Sequence, residues 1–289
     1  MKKSLLYILF AAVAGLTSCE DKINLNVAPG ISYPVLDAWI TTEAGVQNIR
    51  LTKSVPYTDD NPAPIINDAK ITVFDLTSGA SYPFLFDKNA GRYRYDASAQ
   101  PIGVVGHVYK LHLEYGGEIF EALDSVKRVP PIDSISYEYK KKEEVLSGKE
   151  GYYATMHAKD IPGAVDYYWI RSYRNDTLRR LEDAFSVDGS YGSGVSDGQV
   201  FIAPIARAIN DYSKPFQLNE KVIVRLSSLS KPSYDFLTQV NDQVNNGGLF
   251  AKVLENVKSN VQNTTASGKT KILGWFGTSA VSRAERTFK

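Results

Sequence analysis

Few residues in this chain of 289 combine a type and a spacing that would specify a reaction. Its three histidines are His107, His112 and His157. In strand-like sequence an interval of five turns side chains to opposite faces, so His107 and His112 cannot share a metal within one strand. Asp188-Gly189-Ser190-Tyr191-Gly192 begins as a calcium loop does, but the further spaced carboxylates and the closing glutamate are lacking. Neither H-E-x-x-H nor G-x-x-x-x-G-K-[ST] occurs. These residues call for no metal, no cofactor and no catalytic group, and scattered carboxylates alone leave room only for an acid pair assembled by folding. The remaining reactive group is the only thiol of the chain, Cys19, and its surroundings do specify chemistry.

Met1-Lys2-Lys3 gives a cationic start, and Ser4 to Gly15 is apolar but short for a permanent membrane span. Leu16-Thr17-Ser18-Cys19 closes the run with small residues and the thiol, as a secretory signal with a cleavage site requires. Leu16 to Cys19 resembles the bacterial lipobox. Cys19 would take a diacylglyceryl group on sulfur and become the first residue after residues 1–18 are removed. Residues 19–34 then read as a lipidated tether. Glu20 and Asp21, directly after the anchor, resemble a surface-export signal, and Ile23 to Pro34 carries two prolines and a glycine with no settled period.

Composition narrows the classes of partner and of stabilising chemistry. The 33 Lys+Arg against 32 Asp+Glu give a net charge of +1. Loss of Lys2 and Lys3 with the signal moves it to −1, so nothing suggests a nucleic-acid partner, which needs a concentrated basic patch. With Cys19 lipidated there is no thiol left for a disulfide, and stability must come from core burial.

The elements that must carry any site read as mainly β. Val35–Ile40, Ile49–Ser54, Ala69–Leu76, Tyr82–Phe86, Arg92–Tyr95, Val108–Leu113 and Ile119–Leu123 are short strands separated by turns. Pro83 predicts an edge position for its strand, and Gly116-Gly117 predicts a hairpin tip. Seven strands in residues 35–128 match an immunoglobulin-like β-sandwich. Arg128-Val129-Pro130-Pro131 predicts a boundary, after which residues 129–289 form a second mostly-β domain. Strands are expected near Ile135–Tyr139, Tyr152–Ala158, Val165–Tyr173, Glu220–Leu226, Ile272–Phe276 and Thr278–Val281. Tyr234, Leu237, Val240 and Val244 predict one helix over residues 233–245, with Ser233 as N-cap and Gly247-Gly248 at its end.

Residues 183–215 are rich in Gly, Ser and Asp, with little core potential, so deleting Asp188–Gly198 should cost little stability. A loop of that length in a compact domain is either a contact surface, with Asp188, Tyr191, Asp197 and Tyr212 as its residues, or simply flexible.

Four stretches carry a resemblance over nearly the whole mature chain. They are Asp68 to Val73, Gly106 to Leu111, Val224 to Ser230 leading into Tyr234, and Gly268 to Phe276. In this order behind a lipobox, they resemble the Bacteroidota lipoproteins grouped as domain of unknown function 4249. Glu255-Asn256 and Ser259-Asn260 stand where that pattern carries Pro-Asn and Gly-Asn steps. The resemblance brings no catalytic residues. Members are often encoded beside TonB-dependent receptors, so it implies an outer-membrane lipoprotein serving such a receptor as a non-enzymatic docking or binding accessory. A structural or adhesive surface protein, and a carbohydrate-active enzyme, are the alternatives.

Overall fold

The computed structural model describes residues 30–56, 59–175, 177–178, 183–192, 194, 196–246 and 256–289. Cys19, Glu20 and Asp21, the rest of the signal and most of the tether lie outside the described residues, as do Gly247 and Gly248. Residues 32–289 make one compact unit. It is mainly β, with two α-helices among the described residues.

The first seven strands follow the alternation in the sequence: β1 (Pro34–Thr41), β2 (Val46–Lys53), β3 (Lys70–Asp75), β4 (Ser81–Asp87), β5 (Arg92–Asp96), β6 (Val108–Tyr115) and β7 (Glu118–Ser125). Leu36, Ile49, Val73, Tyr93, Leu111 and Phe120 turn inward from them and are essentially fully buried. Because strand side chains alternate, Asp37, Trp39, Arg50 and Arg92 fall on the opposite face. Gly116 and Gly117 both have positive φ, 60° and 79°, and close β6 on β7 as a two-residue turn of the type that matches strand twist.

The later strands are β8 (Ile132–Lys140), β9 (Gly151–Ala158), β10 (Tyr167–Arg174), β11 (Thr177–Leu178), β12 (Ala184–Val187), β13 (Lys221–Leu229), β14 (Gln262–Asn263), β15 (Leu273–Ser279) and β16 (Val281–Thr287). The chain crosses the Arg128–Pro131 step and later returns. β14 adds to β7 and β15 runs parallel to β1, giving a nine-stranded path β14-β7-β6-β3-β4-β5-β2-β1-β15. The strands expected as an immunoglobulin-like sandwich therefore lie on one continuous, curled sheet. Val261, Ile272 and Phe276 from the last thirty residues complete its core. Gly274 permits the parallel pairing: its φ is 92°, and a Cβ there would overlap the Leu36 carbonyl oxygen.

A second sheet, β11-β10-β13-β16 with β12 on β10, and the β8-β9 hairpin enclose a separate core around Tyr168, Phe216, Val224 and Phe288. Residues 183–215 belong to it, contrary to the expectation of a coreless loop. They supply β12, the short helix α1 (Ala203–Arg207) and the buried side chains Phe201, Ile205 and Ile209. Three apolar residues spaced by four turn inward once Pro204 starts a helical turn, a signal too short to register as periodicity.

Two local expectations change. β4 is interior, between β3 and β5, but β5 covers only Leu85–Asp87, so Pro83 sits where no donor to that neighbour is needed. The helix α2 spans Lys231–Val244 and starts three residues early: Ser230, not Ser233, is the N-cap, its hydroxyl accepting from the Ser233 N–H at 3.3 Å. Pro232 lies in the first turn, where a missing N–H costs nothing. Among the described residues no helix is long and apolar enough to cross a membrane.

Candidate functional site

Curling brings the two ends of the nine-stranded path close together, and the seam between β7 and β15 is closed by side chains instead of a backbone ladder. Asn260 is the first of these. Its side-chain carbonyl accepts from the Phe276 N–H at 3.0 Å and its amide donates to the Phe276 carbonyl at 2.7 Å. Asp124, near the end of β7, is the second. Its Oδ2 accepts from the Thr278 N–H at 2.7 Å and from Ser233 Oγ at 2.9 Å, and its Oδ1 accepts from the Ser125 N–H at 2.9 Å. Ser233 Oγ in turn accepts from Trp275 Nε1 at 2.8 Å. This chain of contacts fixes α2 on the seam, with Phe236 stacked on Trp275 at 4.6 Å between ring centroids. Burial pushes the Asp124 carboxyl up, against the opposing pull of the Ser230, Thr278, Ser125 and Ser233 donors. Asp124 is thus occupied as a staple.

Beside the seam lies an open cleft of about 810 Å³. The sheet side offers Leu123 and Val108, which are 57% and 38% exposed, and Val165, 49% exposed, lines the cleft from the loop that leads into β10. Around these apolar residues the polar groups are largely paired. Lys110 Nζ meets Glu121 at 2.9 Å, Lys231 meets Asp235 at 2.6 Å, and Arg128 meets Asp166 at 2.7 Å. Tyr167 packs on Tyr234 at 4.9 Å and carries the Lys231 ammonium over its ring at 5.9 Å. An apolar floor inside a rim of satisfied ion pairs can exclude water from a partner's apolar anchor while the rim stays hydrated.

The sequence-predicted contact residues do not meet at this cleft. Asp188 is fully buried, and its Oδ1 accepts from the Asp166 N–H at 2.7 Å, so it is withdrawn from any contact surface. Tyr191 is 69% exposed, and Asp197 is exposed with its carboxylate accepting from the Gly163 N–H at 2.9 Å. Tyr212, 45% exposed, leans on Tyr153. The histidines are dispersed: His107 Nδ1 lies 2.7 Å from Asp75, His112 Nδ1 is 3.2 Å from Glu121, and His157 Nε2 is 2.7 Å from Ser136. Among the described residues no group of three His, Cys, Asp or Glu is placed to hold a metal ion. One motif match remains, Gly194-x-Ser196-x-Gly198. A nucleophile elbow exposes its serine between a strand and a helix, whereas Ser196 is buried in a loop and the nearest helix after it, α1, has five residues.

Asp124, Ser233, Asn260 and Trp275 escape a sequence reading because no spacing links them; Asp124 and Thr278 are 154 residues apart. Two of the stretches that carry the family resemblance do converge here, through Ser230 and Trp275. A comparison with curated proteins gives no match. A family model described as a domain of unknown function (DUF4249) matches residues 20–285, which takes in both sheets, α2 and the cleft. The chain therefore belongs to the DUF4249 family.

Proposed function

We propose that this protein is a lipid-anchored outer-membrane accessory, non-enzymatic, whose cleft beside the seam receives an apolar segment of a membrane partner. A TonB-dependent receptor is the partner the sequence favours. The observation that carries the reading is the exposure of Leu123, Val108 and Val165 inside a rim of ion pairs. Scattered exposed apolar residues are ordinary, but several gathered in one concavity mark a contact site. Stapling by Asp124 and Asn260 makes the cleft largely pre-formed, which lowers the ordering cost of binding.

The test is site-specific photocrosslinking in intact membranes. A photoreactive residue at Leu123 should trap one outer-membrane receptor, and Leu123→Glu should abolish co-purification of that receptor while leaving the melting temperature unchanged. Crosslinking from Leu123 that matches a probe placed at Leu146, which is fully exposed and is not one of the cleft-lining residues, would refute the docking site.

A further inference from the structure

A second, smaller pocket lies where the outer face of the curled sheet meets β10. It encloses about 240 Å³ and is lined by Asp37 and Trp39 of β1, Asn48 and Arg50 of β2, Arg92 of β5, and Trp169 with Arg171 of β10. Its construction follows from register. Asp37 stands directly opposite Arg50 across β1 and β2, and Ile49 opposite Tyr93 brings Arg92 to the other side of Arg50. Arg171 descends from the second sheet with its guanidinium 3.8 Å from the Trp169 ring centre.

Among the described residues these charges do not pair with one another. Arg50, Arg92 and Arg171 all act electrostatically on Asp37. Yet among the described residues no ion pair joins Asp37 to any of them, whereas Arg94, on the same strand as Arg92, pairs with Asp87 at 2.5 Å. Arg171 Nε is buried without a hydrogen-bond partner, and the Arg171 Nη2 contact to Ser227 Oγ is long, 3.5 Å. Stacking on Trp169 holds the fork of Arg171 rigid, the arrangement in which guanidinium binds oxyanions best. Asp183 faces Arg171 from outside the lining and offsets part of its charge.

We propose that this pocket binds an anionic monosaccharide, with Arg50, Arg92 and Arg171 on its oxyanion and Asp37 and Asn48 on adjacent hydroxyls. Three guanidinium groups supply bidentate donors for a carboxylate or phosphate. Asp37 would repel a bare anion, so its presence fits a ligand that carries hydroxyl donors beside the charge. The volume is below that of pockets for drug-sized molecules, which limits the ligand to about one sugar ring. This site is separate from the cleft beside the seam, and its test is independent of receptor capture.

The full chain in detergent would be titrated with galacturonate, glucose 6-phosphate, inorganic phosphate and glucose, following tryptophan fluorescence, since two of the three tryptophans line the pocket. Saturable binding is expected for galacturonate or glucose 6-phosphate, and which of the two binds tighter identifies the oxyanion. Inorganic phosphate and glucose should each bind at least about tenfold more weakly, a factor that corresponds to the loss of one good polar contact. Arg50 and Arg92 are exposed, so the Arg50→Gln/Arg92→Gln double variant should fold normally yet lose at least about tenfold in affinity, while Arg94→Gln keeps it. No saturable response to either anionic sugar, equal binding by inorganic phosphate, or unchanged affinity in the double variant would overturn the proposal.

Discussion

The side-chain amide of Asn260 pairs with the backbone of Phe276 as a neighbouring strand would, accepting from its N–H and donating to its carbonyl. Asn210 does the same for Ala154 on β9, with both contacts at 2.7 Å. Each amide satisfies a buried residue of a strand where no backbone neighbour serves it. Phe276 is fully buried, so Asn260→Ala would strand both its polar groups. A loss of about 2–4 kcal/mol is expected from two orphaned groups, read as a lower denaturant midpoint with unchanged slope.

Acid sensitivity should arise at Asp75. Burial raises its carboxyl, but hydrogen bonds from His107, the Ser78 hydroxyl and the Ser78 and Thr77 N–H groups outweigh that and hold it at about 2. A carboxyl depressed on folding stabilises the protein above its unfolded value near 3.8 and loses that stabilisation as pH falls toward about 2. The contribution is about 2 kcal/mol by linkage. In denaturant titrations wild type should therefore be more stable than Asp75→Asn at pH 5, and the two should converge at pH 2.

Removal of residues 188–198 should be severe. Asp188 holds the Asp166 N–H, the Gly198 N–H donates to Asp160 Oδ2 at 3.0 Å, and Tyr168 OH donates to Asp160 Oδ1 at 2.5 Å within the second core. A Cβ at Gly189 would strike the Phe201 ring. Melting should fall by about 10 °C or more, whereas Tyr191→Ala, at an exposed position, should leave stability within about 0.5 kcal/mol. Unchanged melting of the deletion would show that these buried contacts contribute little.

Membrane attachment is expected to depend on the thiol of Cys19. Cys19→Ala should move the protein from the membrane to the soluble fraction after a carbonate wash, since a lipid anchor is the expected means of attachment. Replacing Glu20 and Asp21 by alanine should protect the lipidated protein from protease added to whole cells.

Much of this architecture was legible one strand at a time. Alternation in Val35–Ile40 and Arg92–Tyr95 sets which face of β1 and β5 is buried, and Gly116-Gly117 dictates the β6–β7 turn, because these are local consequences of side-chain period and φ. Family membership was legible too, since it rests on the order of short motifs. Tertiary structure alone decided that Leu273–Ser279 returns to pair in parallel with β1, because such a partner is chosen by long-range closure of the core. It likewise decided that Asp188 is buried and that Asp124 meets Thr278. Arg50, Arg92 and Arg171 illustrate the division most plainly: alternation assigns Arg50 and Arg92 to the outer face of their strands. Only the approach of β10 across the curled sheet brings Arg171 over them to make a pocket.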